Sequence, residues 1–446
     1  MKRGFLQSSG TASKPLTPGA VIISKKTTDD HSSDINSKSD RSLKQDQSQE
    51  LYKIPAIAII DDNIPNIGRF PRGRKVFPVK LPYDDDNHTT EPYTISLLYS
   101  GAKEALAAIP GFPAPYKPSI RVHYRIGDAP GAGKGMFALT DLDTGDVIAR
   151  ERPLFLFPLA IPVDSYAEMD AVIMKTVLKM KPADVLDYFD LANCKTEGGP
   201  ASGIWRTNGL DAKRMPGEYD GRYTCICRDL SRVNHRSVSS RLLSFRVSDN
   251  HYSCSPNATY RWVLNDLMYE LRALRRIKEG EEICISYVNY LRSHSARQEH
   301  LQSSYAFTCR CSGCSLPPSE IPRNDIRRGL LELSRVNEDV NEDSMLNVWC
   351  ENASLPDDYV ISNTMKLVNI LEEERLIHEY ICKMYYSRLT KAYCALRDAK
   401  NAKLWAKRTA LMVTAADGDD MGWNKVADSP ESTDWWGRRK RRVSRS

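Results

Sequence analysis

Three cysteines in the segment FTCRCSGCSLP constrain this chain more than any other feature of its 446 residues. Cys309, Cys311 and Cys314 follow the spacing C-x-C-x-x-C. Three thiolates this close together can bind one tetrahedral metal ion from a single short loop. Arg, Ser and Gly stand between the cysteines, which is typical of a loop and not of a protein core. The pattern therefore predicts a zinc site whose fourth ligand comes from elsewhere in the chain.

Cys254, in the segment SCSPN, is the leading candidate for that fourth ligand. Cys225 and Cys227 form another close pair, but they alternate with Ile226 as half-buried strand residues do, so we leave them unassigned. The 11 cysteines are odd in number and begin only at Cys194. A disulfide framework would be evenly spread through a small chain, so we expect a reduced intracellular protein.

The net charge of +6 comes from the last ten residues of the chain. Residues 437–446, GRRKRRVSRS, carry six bases and no acid, and the remaining chain is neutral. No general nucleic-acid-binding face is therefore expected. The basic tail alone could contact phosphates weakly or serve as a nuclear import signal, and a solvated, disordered terminus is the plain alternative. The chain shows neither a bilayer-spanning apolar run nor a secretion signal, so we expect a nuclear or cytoplasmic protein without membrane contact.

The sequence divides into regions of different texture. Residues 1–50 are rich in Ser and charge and are predicted to be disordered, and 51–118 are poorly defined, with a helix expected over 95–109. Short β-like runs separated by glycine turns fill residues 119–291, interrupted by a helical pattern at 165–192. The turn LDTGD is of the hairpin type. The zinc loop is expected over 292–318, helices over 319–416 and a disordered basic tail over 417–446.

Four segments carry a family resemblance because they occur in a characteristic order. These are GAGKGMFA (131–138), SCSPN (253–257), GEEICISY (280–287) and the cysteine loop. In this order they resemble the SET-domain protein lysine methyltransferases. The cysteine spacing after SSYAFT and the helical C-terminus are most similar to the SMYD branch and related fungal-type SET proteins, although the zinc-binding MYND finger of SMYD proteins is not visible. The resemblance covers roughly 119–316 and extends more weakly to 415.

This resemblance implies an α+β fold with a β-rich SET domain, a threaded segment, a post-SET zinc loop and an all-α C-terminal region of helical hairpins similar to tetratricopeptide repeats. It implies methyl transfer from S-adenosylmethionine to a lysine of a protein substrate, which could be a histone. The glycines of GAGKG also suit a close backbone approach to a ligand, whereas an ordinary hairpin turn is the alternative. A catalytically inactive SET module, acting as a zinc-stabilised interaction scaffold, is the alternative for the whole chain.

The resemblance also assigns roles to individual residues. It implies that Tyr287 and Tyr305 are catalytic and that Tyr305 and Phe307 line the lysine channel. It places the cofactor among Gly133, Lys134, Gly135, Asn234, His235 and Phe307, with Lys134 beside the cofactor carboxylate. It places zinc among Cys254, Cys309, Cys311 and Cys314.

One departure from the family pattern concerns the Asn-His pair, which should directly precede Ser-Cys. Here SRVNH ends at His235 and SCSPN begins at Ser253. Deleting residues 236–252 restores an ungapped match. Codons AGG for Arg236 and AGC for Ser253 would let the extra stretch begin with GT and end with AG, as introns do. We therefore hypothesise a retained intron. A genuine surface loop is the rival interpretation, and a third uses Asn250 and His251, although Tyr252 puts that pair out of register.

Overall fold

The computed structural model describes residues 76–82, 92–116, 122–159, 161, 163, 165–212, 215–216, 223–235, 254, 256–338 and 344–440. The predictions made for residues 1–75, 236–253 and 441–446 lie outside this described part. Within it the fold is α+β, as the sequence predicts. None of the described helices is long and apolar enough to cross a membrane.

The strands of the described ranges form three sheets. Their bounds are β1 (Val76–Leu81), β2 (Thr94–Tyr99), β3 (Tyr124–Ala129), β4 (Gly133–Ala138), β5 (Val147–Glu151), β6 (Phe155–Pro158), β7 (Leu210–Ala212), β8 (Tyr223–Ile226), β9 (Asn234–His235), β10 (Ala258–Val263), β11 (Met268–Ala273) and β12 (Glu282–Ile285). The strand orders are β1-β2-β6-β8-β7, β10-β11-β5 and β3-β4-β12-β9. Strand β9 pairs in parallel with β12, with Asn234 opposite Cys284 and His235 opposite Ile285. This pairing brings together two segments that the sequence assigns to one site.

The helices fall into two groups along the chain. The first group is α1 (Ala102–Ala107), α2 (Tyr166–Val177), α3 (Pro182–Phe189), α4 (Pro200–Asn208) and α5 (His294–Tyr305). The second is α6 (Ile321–Glu338), α7 (Ser344–Glu351), α8 (Tyr359–Glu373), α9 (Glu379–Ala395), α10 (Ala399–Asp417) and α11 (Trp423–Asp428). The prediction of a helical C-terminal region is therefore confirmed. Small residues face inward on α10, where Ala402, Ala406 and Ala410 are all buried.

The main core lies where α2 and α4 pack on the five-stranded sheet. Every position of β2 and β6 is buried, and Phe155 of β6 stands opposite Ile95 of β2. Helix α2 begins where the Ser165 hydroxyl accepts a hydrogen bond from the Glu168 amide, which caps the first turn.

Two local predictions are wrong. The helix expected over 95–109 is instead strand β2 followed by the short α1, because TISLLY is buried on both faces between β1 and β6 and left-handed Gly101 separates it from α1. The turn LDTGD does not close a hairpin, since β4 pairs with β3 and β12 whereas β5 pairs with β11. Both errors arise because strand pairing is decided by distant segments and not by the local pattern.

The tail expected to be disordered over 417–446 is folded as far as residue 440. Arg439 is 6% exposed, and its guanidinium donates to the backbone oxygens of Trp349, Asn352 and Leu355 at 2.5, 3.0 and 2.5 Å. It also pairs with Asp357 at 3.1 Å. The basic composition of the tail led to a prediction of disorder, but Arg439 binds carbonyls that lack helical partners at the end of α7. This anchoring orders the tail. This residue is thus not available to a phosphate.

We expect Arg439→Met to lower the free energy of unfolding by about 3 kcal/mol, because it leaves buried carbonyls and Asp357 without their cation. Arg438→Met is the matched control, since the exposed Arg438 only lies over the Trp435 ring at 4.5 Å. Urea unfolding monitored by circular dichroism measures both. Equal effects of the two substitutions would contradict the anchoring role of Arg439.

Candidate functional site

A cavity of about 890 Å³ lies between the β3–β4 turn, the loops around α3 and α4, β9 and the C-terminal end of α5. It collects seven of the eight residues that the sequence predicts for catalysis or cofactor binding: Gly133, Lys134, Asn234, His235, Tyr287, Tyr305 and Phe307. The eighth, Gly135, does not line it. Residues separated by up to 174 positions, from 133 to 307, therefore meet at one place.

Asn234 is fixed at the floor of this cavity by hydrogen bonds from its side-chain amide. Its Nδ2 donates to the Lys134 carbonyl at 3.1 Å and to the Glu282 carboxylate at 2.9 Å. Gly135 explains why there is room for this arrangement, because a Cβ there would lie 2.7 Å from Glu282 Oε1 and 2.8 Å from Asn234 Nδ2. Gly135 thus makes space for the Asn234 side chain. From the sequence we expected Gly135 to contact the cofactor.

His235 joins the cavity to the cysteines behind it. The ring is 3% exposed, and Nδ1 accepts a hydrogen bond from the Tyr287 backbone amide at 3.1 Å. An amide can only donate, so Nδ1 is unprotonated and the proton of the neutral ring is on Nε2. Nε2 lies 4.0 Å from Cys254 Sγ. Burial lowers the pKa of His235 to about 4, which keeps the ring neutral near pH 7.

The aromatic side of the cavity is built around Tyr287. Its hydroxyl donates to the Val233 carbonyl at 2.9 Å, and its ring centre lies 4.7 Å from that of Tyr305. The rings of His235 and Phe307 are 5.9 Å apart on the same side. Burial raises the pKa of Tyr287 and that of Tyr305, so both phenols stay protonated at neutral pH. Such a wall offers phenol hydroxyl groups and apolar faces without negative charge.

The four predicted zinc ligands come together next to this wall. The Sγ atoms of Cys254, Cys309, Cys311 and Cys314 all lie within 4.8 Å of one another and are buried. Hydrogen bonds from the other thiols, first from Cys254, hold the pKa of Cys311 well below its usual range. This arrangement suits one tetrahedral zinc ion bound by thiolates. Among the described residues, Cys225 and Cys227 belong to no such group and are buried in the main core.

Arg297 supplies positive charge to these four cysteines, and sequence reasoning missed it. Its side chain is fully buried, and its guanidinium donates to the Gly313 carbonyl at 3.3 Å and lies 3.9 Å from Cys314 Sγ. Four thiolates around a divalent ion leave two excess negative charges, which a buried cation partly neutralises. The isolated arginine of a polar helix gives no sequence signal for this role.

Comparison with known proteins agrees with this geometry. The family description "SET domain" matches residues 133–288. Residues 133–288 form a SET domain. The histone-lysine N-methyltransferase set5 of Schizosaccharomyces pombe is 28% identical over 48% of this chain and 56% of its own length. The human N-lysine methyltransferase SMYD2 is 36% identical over 18% of each chain. The human protein-lysine N-trimethyltransferase SMYD5 is 40% identical over 14% of this chain and 16% of its own. The match thus spans about half, or less, of each of these relatives.

The extra stretch 236–252 is inserted into the SET domain between His235 and Cys254 and lies outside the described residues. Its two flanks nevertheless meet, since His235 Nε2 is 4.0 Å from Cys254 Sγ. Strand β9 ends at His235, and Asn257 already hydrogen-bonds through Oδ1 to the Cys284 amide at 2.7 Å. The chain therefore leaves and re-enters the site at one point.

A turn before β9 is fixed by a carboxylate that the sequence analysis also missed. Glu151, at the end of β5, accepts hydrogen bonds from the backbone amides of Arg228, Asp229 and Leu230. The Tyr260 hydroxyl donates to the Leu230 carbonyl at 2.6 Å. These bonds fix the segment 231–235, which contributes four residues to the cavity lining. No motif marks Glu151, because its partners lie about eighty positions away and are backbone atoms.

Proposed function

We propose that this chain transfers methyl groups from S-adenosylmethionine to lysine side chains of proteins, histone or non-histone. One observation carries the proposal: seven residues chosen from distant segments line a single cavity. Its volume of about 890 Å³ is in the range of small-molecule sites. The names of the relatives support lysine as the acceptor, since each is called a lysine methyltransferase.

The residues present fit both groups that this function requires. Lys134 provides a cation for the carboxylate of S-adenosylmethionine, and Asn234 and His235 offer their backbones on β9. When bound, this cofactor supplies an electrophilic methyl group on its sulfonium. The four cysteines would hold zinc in a structural role, since four thiolates leave no open coordination position. As a ligand of that ion, Cys254 would be held next to His235 and so support the wall of the cavity.

The aromatic wall addresses the main energetic obstacle, which is the charge of the substrate lysine. With a pKa of about 10.4, the lysine costs roughly 4.6 kcal/mol to neutralise at pH 7. Burial between Tyr287, Tyr305 and Phe307 disfavours the charged form. His235 is not available as a general base, because its Nδ1 already accepts a hydrogen bond from the Tyr287 backbone amide. The phenols then orient the amine, and such positioning can lower the barrier by roughly 7–11 kcal/mol.

The inserted stretch 236–252 decides how the proposal is tested. The full chain and a chain lacking 236–252 are each incubated with labelled S-adenosylmethionine, once with core histones and once with a cell lysate. We expect the shortened chain to label a protein substrate. Absence of both labelling and cofactor binding in the two folded, zinc-loaded chains would contradict the proposal. The inactive scaffold would then be preferred, although the methyltransferase names of the relatives do not favour it.

The retained-intron hypothesis has its own measurement, because it concerns the transcript and not the fold. Sequencing cDNA should show most transcripts joining the His235 codon directly to a serine codon before Cys254. Transcripts that keep the extra stretch would make it a genuine loop of the SET domain. A histone substrate would place the protein in the nucleus, and a non-histone substrate is compatible with the cytoplasm.

A further inference from the structure

Three charged residues from separate segments meet at the edge of the cavity. The Asp190 carboxylate, just after α3, accepts hydrogen bonds from Lys134 Nζ on β4 at 2.9 Å and from an Arg232 guanidinium nitrogen at 2.8 Å. Arg232 also donates to the Asp190 backbone carbonyl at 3.3 Å. All three residues line the cavity. Two cations and one carboxylate therefore face the same space.

Only one of the two Asp190 carboxylate oxygens accepts hydrogen bonds in this arrangement. Both cations contact Oδ2, and Oδ1 has no hydrogen-bond partner in the part of the chain that the structure describes. Lys134 and Arg232 also hold the pKa of Asp190 below its usual range, so the group stays ionised. An ionised oxygen at a cavity edge is a strong acceptor for a charged donor. The two cations fix the carboxylate in place and leave one oxygen for a ligand.

We propose that Asp190 binds the α-ammonium of S-adenosylmethionine while Lys134 and Arg232 bind its α-carboxylate. This inference rests on the proposed function and extends it to a residue that no motif marks. The amino-acid end of the cofactor carries one charge of each sign, and the three side chains present both complementary signs side by side. A ligand with only negative charge at this end, such as a phosphate, would be repelled by Asp190. The site therefore selects a zwitterion.

The test uses the full chain, with and without residues 236–252, and three ligands in calorimetric titrations. S-adenosylmethionine has both charges at this end, decarboxylated S-adenosylmethionine keeps only the ammonium, and 5′-methylthioadenosine lacks both. We expect Asp190→Asn to weaken binding of the first two about tenfold and to leave the third unchanged. Lys134→Met should weaken S-adenosylmethionine binding by about as much and spare the decarboxylated ligand.

Asp187→Asn is the matched control, because Asp187 lies on α3, pairs with Arg228 at 2.6 Å and does not line the cavity. Zinc content and melting temperature report whether each variant is folded. Unchanged or tighter binding of S-adenosylmethionine by Asp190→Asn would overturn the inference, because the carboxylate would then merely compete for the cations. Equal weakening of all three ligands would overturn it as well. If neither the full chain nor the chain lacking 236–252 binds any of the three ligands, the proposed function itself is contradicted.

Discussion

Tyr287→Phe is expected to lower the rate of methyl transfer by about a hundredfold or more without altering zinc content. The substitution keeps the ring that packs 4.7 Å from Tyr305 and removes only the hydroxyl. That hydroxyl donates its only proton to the Val233 carbonyl at 2.9 Å, which orients its oxygen as an acceptor in the aromatic wall. Losing one fixed hydrogen-bonding group at a reacting centre typically slows an enzyme by about 100- to 1,000-fold. Single-turnover transfer of labelled methyl groups measures this directly.

Tyr290→Phe is a closely matched control for this experiment. Tyr290 lies three residues further on, is 6% exposed, and also donates its hydroxyl to a backbone carbonyl, that of Ile377, at 2.8 Å. It is not part of the cavity lining. Each substitution removes one buried hydrogen bond, so each should cost about 1 kcal/mol of stability. Equal loss of activity in the two variants would mean that Tyr287 acts only through folding.

Cys311→Ser is expected to remove the bound zinc and, with it, cofactor binding. The four cysteines belong to a core shared with Leu331, Val368 and Leu371 of the C-terminal helices, so the site ties the SET domain to those helices. Structural zinc sites contribute folding free energy outright, and their loss leaves thiols without a partner ion. We expect the melting temperature to fall by about 10 °C or more, which corresponds to several kcal/mol in a chain of this size.

The zinc prediction is checked by metal analysis together with thermal unfolding. Cys350→Ser is the control, since Cys350 is fully buried in α7 but belongs to a different core cluster. It should cost packing energy and keep one zinc ion per chain. A Cys311→Ser chain that still holds a full equivalent of zinc, or an unmodified chain that holds none, would show that the four cysteines are not a zinc site.

Much of the candidate site could be predicted because its signals are local. The spacing of Cys309, Cys311 and Cys314 within six residues by itself predicts a shared ion, and Cys254 joins their cluster as expected. The helices after residue 320 follow from apolar residues recurring every three or four positions. In both cases the signal consists of particular residue types at short, fixed spacings. The tertiary structure then only had to bring the separate segments together.

The features that the sequence did not predict depend on contacts between distant segments. The strand at Thr94–Tyr99 exists because β1 and β6 hydrogen-bond to it, and the tail is ordered because Arg439 reaches the end of α7. Asp190 gains its position from Lys134, 56 residues earlier, and from Arg232, 42 residues later. By itself, the sequence predicted the four clustered cysteines and seven of the residues that line the cavity. Only the tertiary structure decided which charges face the cavity, because their partners lie far away along the chain and no short-range pattern encodes them.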